Sequence, residues 1–485
     1  MQYGSKNISK VQYGSKNIIA AYWGSKKVWE NVPLEDLTEN YCTIEALEDG
    51  LTVSFSTNSL LYSLDNGNSW TELPADNTTP AINSGDMISF KATGLTPNIS
   101  NGIGTFRVNK KFNLKGNVMS MLFGDEGKNS YDLTGYNYAF VGLFDNCSTL
   151  QSVSKDFLPA TTLSDFCYAD MFGGCTSLTT APDLPSTRLA LNCYTNMFRD
   201  CTSLTQAPEL PATTLVMSCY SYMFRGCTSL FTAPELSATT LANSCYQNMF
   251  EGCTSLTQAP ELPATTLFNS CYGCMFAGCS SMTTSPVLPA TTLSNLCYAD
   301  MFAGTNTLPD CTNIDFTSES VVASGGLRGL FSRTNVTDED LYNILPINQS
   351  TGKYWLPATT LTNGCYNAMF AGCTSLVTSP ELPATTLAEY CYQYMFSDCT
   401  SLVTAPELPA TTLVYNCYYN MFSGCTSLNY IKALFTTTPS SSYTRNWVNG
   451  VSNTGTFVKN ADATWDVIGV NGIPEGWTVE TYPNL

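Results

Sequence analysis

Thiols and carboxylates are the side chains best equipped for chemistry in this 485-residue chain, which has 21 Cys, 39 Asp plus Glu and no His. Without imidazole there is no Ser-His-Asp or Cys-His nucleophile, no His general base and no His-ligated metal. The thiols are regularly spaced. A Cys-Tyr pair begins at residues 167, 193, 219, 245, 271 and 297, and again at 365, 391 and 417. A second Cys follows eight residues later at 175, 201, 227, 253, 279, 373, 399 and 425, so that only the unit at Cys297 lacks it. With Cys147 counted, each register holds nine Cys. A metal site needs four ligands at CxxC-like spacing, and Cys271-Tyr-Gly-Cys274 is the one such motif. Stacked copies of Cys-x7-Cys give instead two ladders of small, reduced, buried side chains. Some disulfides stay open as an alternative, although no export signal points to an oxidising compartment.

Carboxylates form a third column, Asp183, Glu209, Glu235, Glu261, Glu381 and Glu407, at one position of the same unit. Like charges ~5 Å apart on neighbouring strands repel, so the row needs solvent, Lys or Arg neighbours, or cations. Calcium takes oxygen ligands, but one carboxylate per unit is a thin set, and a solvated row is expected. Glycoside hydrolysis needs two singular acids in a pocket, and these acids are repeated. No catalytic, cofactor-binding or metal residue is assigned, and the chain is expected not to be an enzyme.

The elements that position these columns follow from a 26-residue period, typified by Leu256 to Leu267, Cys271-Tyr272, Met275-Phe276 and Gly278-Cys279. Such a unit cannot bury its apolar face alone, whereas stacked neighbours share a continuous core, the logic of a solenoid. Leu-Thr-x-Ala-Pro-Glu-Leu-Pro is predicted to supply a short strand of a parallel sheet. Cys-Tyr-x-x-Met-Phe-x-x-Cys is predicted to form a short helical turn on the opposite side. Eleven or twelve coils would stack ~4.8 Å apart. Between Met301-Phe302 and Met369-Phe370 the period is broken by an insertion at about 305–356, with most of the surplus between Arg333 and Trp355. Insertions in solenoids are loops that carry recognition or subunit contacts, which singles out Lys353, Tyr354 and Trp355. Positions that vary between coils include Met217, Tyr222, Phe268, Tyr390, Tyr394, Tyr415 and Tyr419. Varying aromatics on an outer face suit glycan or protein contacts, with inter-subunit packing as the alternative.

Upstream, residues 1–30 hold a triplicated decapeptide, Tyr3-Gly-Ser-Lys6, Tyr13-Gly-Ser-Lys16 and Trp23-Gly-Ser-Lys26, with five Lys against Glu30 alone. Each Gly-Ser is a turn signal in a small β-meander. This basic module sits on a chain of net charge −18. It suits docking on an acidic partner through Tyr3, Lys6, Tyr13, Lys16, Trp23 and Lys26, or simply protects edge strands. From about Tyr41 to Asp125, alternating runs between Gly, Asn, Asp and Pro clusters predict an antiparallel β-sandwich. Within it, Ser63 to Trp70 is similar to the Asp-box pattern of sialidases and is read as a structural turn. The acidic balance argues against a nucleic-acid partner. No apolar run of about 18 residues suggests membrane insertion, and no secretory signal is recognisable at the start.

The decapeptide resembles the Tyr-Gly-Ser repeats at the N-terminus of phage tail and virion-appendage proteins, where such a segment attaches the protein to the particle. The 26-residue unit resembles BspA-like leucine-rich repeats, with Met-Phe-x-Gly-Cys-Thr-Ser-Leu in the place of their Ala-Phe-x-x-Cys-x-x-Leu signature. Gly455 to Phe457, Trp465 and Gly472 to Trp477 look like the segment that closes such arrays. These resemblances imply a mainly-β chain with short helices: an attachment module (1–38), a β-sandwich domain (39–125), a leucine-rich-repeat solenoid (126–435) and a C-terminal cap (436–485). They imply a structural protein of a phage virion, of tail or head fibre type, assembled in the host cytoplasm. It would contact other virion proteins through its N-terminus and a host-surface glycan or protein through the solenoid. Symmetric attachment implies a homo-oligomer, a trimer among the options. A BspA-like adhesin on a bacterial surface is the alternative.

Overall fold

A computed structural model describes residues 37–56, 60–92, 102–290, 293–308 and 325–482, together with Cys311, Asn313, Ile314, Phe316 and the backbone of six short strands before residue 31. The described chain is mainly β, with several sheets and two short α-helices. The six strands pair as three separate antiparallel ladders rather than one meander. They are β1 (Gln2–Tyr3) with β2 (Lys6–Asn7), β3 (Gln12–Tyr13) with β4 (Lys16–Asn17), and β5 (Ala20–Trp23) with β6 (Lys26–Glu30). The Gly-Ser between each pair lies outside the described residues.

Next come β7 (Cys42–Ala46), β8 (Val53–Phe55), β9 (Leu60–Ser63), β10 (Thr71–Glu72), β11 (Met87–Ala92), β12 (Phe106–Val108) and β13 (Phe112–Gly116), followed by α1 (Ser120–Phe123) and β14 (Leu150–Val153). One sheet has the order β10-β9-β11-β7-β13-β14, and a second pairs β12 with β8. Alternate residues of β13 are buried, the period-two pattern of a strand with one covered face. Phe106 meets Phe55 at 4.6 Å and Phe90 at 5.0 Å, joining the two sheets. Between β9 and β10 the Asp-box turn is built as its residues dictate. Gly67 N–H donates to Ser63 Oγ at 2.8 Å, Ser69 N–H donates to Asp65 Oδ1 at 2.8 Å, and Trp70 Nε1 donates to the Gly67 carbonyl at 3.1 Å. The Ser69 and Ser63 donors hold the Asp65 carboxyl down at about 2. The sheet does not stop at residue 125, because β13 pairs in parallel with β14 of the first repeat. One apolar core runs from Cys42 to Trp477.

In the repeats, the ladder between coils lies on the stretch expected to be a helical turn. The Cys-Tyr-x-x-Met-Phe stretch is not helical. Its amides alternate: Cys219, Ser221, Met223 and Arg225 donate three residues back at 3.1–3.3 Å, while Tyr220, Tyr222, Phe224 and Gly226 donate to carbonyls of the next coil at 2.7–3.0 Å. Every fourth residue is left-handed, with φ of +54° at Ser218, +58° at Tyr222 and +73° at Gly226. L-residues take that conformation singly, so a helix cannot propagate through it. Between the first and last coils, the predicted strand stretch carries only isolated parallel bridges, such as Gln206 to Thr232, Gln258 to Thr284 and Thr378 to Thr404. Two prolines within four residues, as at Pro260 and Pro263, remove the donors that a continuous ladder needs.

Beneath the turn stretch, identical side chains stack. A phenylalanine column begins Phe144, Phe172, Phe198, Phe224, Phe250, with ring centroids 5.6–5.9 Å apart, and a parallel tyrosine column runs from Tyr168 to Tyr298 at 5.8–6.0 Å. The rings are nearly parallel and offset from one another, the arrangement their quadrupoles favour at centroid separations of ~4.5–7 Å. Second-register thiols bind between coils: Cys201, Cys227 and Cys253 donate to the Phe172, Phe198 and Phe224 carbonyls at 3.0–3.1 Å. Where a Cys is missing, Thr305 and Thr334 occupy the slot, buried, and donate instead to the Phe302 and Phe331 carbonyls of their own coil at 2.8 and 2.7 Å.

The insertion leaves most of the turn ladder in place. Asp300 still donates to Arg328, Gly304 to Ser332, Phe331 to Met369 and Arg333 to Ala371, at 2.7–3.1 Å. Much of the surplus therefore emerges on the other stretch, where it forms α2 (Asp338–Ile344), capped reciprocally by Thr337 and Asp340. Asp338 Oδ1 accepts the Val377 and Thr378 amides at 3.1 Å each, fastening the insertion to the next coil. At the C-terminal end both columns meet Trp447, 6.1 Å from Tyr418 and from Phe422. Beyond it β15 (Tyr430–Ala433), β16 (Thr456–Asn460) and β17 (Thr478–Tyr482) form a parallel sheet, with Trp465 and Trp477 buried beside it.

Candidate ligand-binding site

The thiol columns are packing. None of the eighteen array cysteines is in a disulfide, and all of them are buried. Burial pushes the Cys245 and Cys279 thiols up to about 12, which keeps them protonated at neutral pH. Cys274, half exposed, is raised to about 11 by burial first and then by Asp300 and Glu251. Among the described residues no three Cys, Asp or Glu side chains converge in a way that could hold a metal ion.

Along the proline stretch, Asp183, Glu209, Glu235, Glu261 and Glu407 are exposed, and Glu381 is half buried. Neighbouring coils enclose grooves there. Two are what stacking alone makes: one of 720 Å³ beside Asp183 and Glu209, and one of 680 Å³ beside Glu235 and Glu261. A third, of 740 Å³, lies beside Glu381 and Glu407 and is remodelled by the insertion, which adds Asn348, Lys353 and Trp355 to its lining. Glu381 Oε2 accepts from Asn348 Nδ2 at 2.7 Å and from Thr351 Oγ1 at 3.0 Å. Glu407 Oε2 accepts from Lys432 Nζ at 2.9 Å.

Lys353 and Trp355 therefore stand at this groove, but Tyr354 does not present a surface, and its expected ligand role is corrected. It is 2% exposed, donates its hydroxyl to the Thr378 carbonyl at 2.5 Å and packs edge-on against Tyr342 at 5.0 Å. The register explains this. Leu356-Pro-Ala-Thr-Thr-Leu361 matches Leu382 to Leu387, so Tyr354 takes the inward place of buried Pro380 and Trp355 takes the outward place of Glu381. The parallel bridge between Trp355 and Glu381 follows from it. That match was available in the sequence and is the signal that would have separated the two aromatics.

The other varying aromatics belong to the turn stretch. Met217, Phe268 and Tyr415 are 48%, 41% and 49% exposed, and Tyr222 is half buried near the Arg225 guanidinium at 5.9 Å. Two coils gather four tyrosines: Tyr390 meets Tyr415 at 5.5 Å, Tyr394 meets Tyr419 at 5.2 Å, and Arg445 lies 5.8 Å over Tyr419. Met217, Tyr222 and Phe268 lie on coils earlier in the array than this cluster. In the N-terminal hairpins, Tyr3 pairs with Lys6, Tyr13 with Lys16 and Trp23 with Lys26 along the backbone, and their side chains lie outside the described residues.

No protein-family model, curated relative or solved structure matches the chain at a significant level.

Proposed function

We propose that the chain is a non-catalytic virion appendage protein of a phage, fixed through its basic N-terminal repeat and presenting a leucine-rich-repeat solenoid to a host surface. The observation that carries this reading is the in-register stacking of 26-residue coils. Repeated Phe, Tyr, Met and Cys columns form the core, with Leu327, Leu330, Thr305 and Thr334 as local replacements, while several exposed positions change from coil to coil. A scaffold of this kind holds many surface variants at fixed spacing, which favours recognition over chemistry. The three hairpins, each pairing an aromatic residue with Lys, support a separate attachment element, and symmetric attachment implies a homo-oligomer, assembled in this reading in the host cytoplasm.

Immunogold labelling with an antibody against residues 126–435 tests the assignment on particle and cell-envelope fractions of the source culture. Label on particles is expected, and deletion of residues 1–30 should abolish it while leaving the thermal melt of the remaining chain intact. Label confined to bacterial envelopes would replace this reading with the adhesin one.

A further inference from the structure

The acidic row changes character along the array. Read coil by coil, the outward position is acidic at residues 183, 209, 235 and 261, Val at 287, Asn at 313, Trp at 355, acidic again at 381 and 407, and Lys at 432. Trp355 is bridged to Glu381, and Leu408 to Ala433, so Trp355, Glu381, Glu407 and Lys432 stand on four successive coils along one line. The grooves at 179–211 and 232–263 serve as internal controls, since they have nearly the same volume and the same Ala-Pro-x-Leu floor but no aromatic side chain. Of these three grooves, the one at Trp355 alone combines an indole at one end, two carboxylates in the middle and a floor that includes Pro383 and Pro409. The insertion that delivers the indole also positions the first carboxylate, through Asn348 and Thr351. Glu381 Oε1 and Glu407 Oε1 have no protein donor among the described residues.

We infer that this groove binds a neutral oligosaccharide of pyranose rings, lying along the row with one ring stacked on Trp355 and its neighbours giving hydroxyls to Glu381 and Glu407. An indole face offers the C–H side of a sugar ring a flat apolar partner, and a carboxylate accepts from paired hydroxyls with charge-assisted strength. The groove is open and crosses coil after coil, which suits an extended chain rather than a single sugar. This inference rests on the reading of the array as a recognition surface and names what its most individual groove recognises.

Calorimetric titration of the full chain with tetrasaccharides of glucose, mannose, galactose and N-acetylglucosamine tests it. Saturable binding of at least one is expected, weakened tenfold or more by Trp355→Glu and by Glu407→Gln, and unchanged by Phe231→Thr on a distant coil. Trp355→Glu installs the residue that other coils carry, so the fold should survive; if its melt collapses, Glu407→Gln decides. Binding by none of the four, binding that ignores these substitutions, or Trp355-dependent binding of tetralysine instead would each overturn the inference. Particle labelling retained alongside absent sugar binding would remove this inference alone, whereas loss of labelling would remove the appendage reading.

Discussion

Each coil contains two stretches that share one core and handle their backbones in opposite ways. On the Cys-Tyr-x-x-Met-Phe side, every second amide reaches the next coil and the others close local turns, so nearly every donor is used inside the array. The Ala-Pro-x-Leu-Pro side has few donors to offer, makes single bridges and leaves open grooves between coils. The first side keeps its register, as the ladder bonds retained across the insertion show. The second side absorbs much of the surplus chain and is where the array acquires its individual features. In this molecule the hydrogen-bond ladder and the open grooves are divided between the two faces of one repeat.

Alkaline pH should break the comparison most strongly. Buried thiols are raised from 9 to about 12 at Cys245, Cys279 and Cys373, in each case chiefly by desolvation. A folded-state pKa above the unfolded one gives stability that is fully present below pH ~9 and is lost as pH rises toward 12. About 4 kcal/mol per such thiol is lost by the top of that window, and the effect accumulates along the columns. Guanidinium melts between pH 7 and 11 should show a midpoint that is flat to about pH 9 and then falls steeply. A midpoint unchanged at pH 11 would mean that the thiols are not held in the columns.

A single ring comes next. Phe224→Ala opens the middle of the phenylalanine column and is expected to cost ~3–5 kcal/mol, whereas Glu235→Ala on the opposite stretch should stay within ~0.5 kcal/mol. Chemical denaturation of the two variants side by side checks the division between faces, and similar losses would refute it.

Smaller effects sharpen the picture within the turn stretch. Gly226 and Gly252 have nearly the same φ, +73° and +74°, but a Cβ on Gly226 would lie 2.2 Å from Asp200 Oδ1, while on Gly252 its nearest neighbour would be 3.8 Å away. Both Ala variants carry the left-handed strain of ~1–2 kcal/mol, and Gly226→Ala should lose measurably more in thermal melts. Equal losses would show that the Asp200 side chain swings away freely. Cys227→Ala removes the donor to the Phe198 carbonyl and should cost ~1–2 kcal/mol. Cys227→Thr should cost less, because Thr305 and Thr334 already fill that position in their own coils. A Thr variant worse than Ala would mean that the slot is shaped for sulfur.

Much of this architecture is legible in the chain. The 26-residue period identifies which side chains are copied, and the copied Cys227, Tyr220, Met223 and Phe224 are all buried. The left-handed positions were also readable: Gly, Asn and Asp predominate at the third of them, as at Asp200, Gly226 and Gly252, where a positive φ costs least. The apolar spacing i, i+4, i+5 looked helical because it reports only which residues face inward, and a chain of linked turns presents the same inward set. Tyr354 and Trp355 looked equivalent as adjacent aromatics in a polar insertion, yet one is core and the other is surface.

By itself, then, the sequence determined the period, the core columns, the position of the insertion and the acidic row, because these depend on composition repeated at fixed spacing. Only the stacked structure decided which stretch carries the hydrogen-bond ladder, where the surplus chain emerges and which aromatic of the insertion reaches the groove. Those outcomes depend on the donors and carbonyls of neighbouring coils, partners 25 or more residues away that no single unit contains.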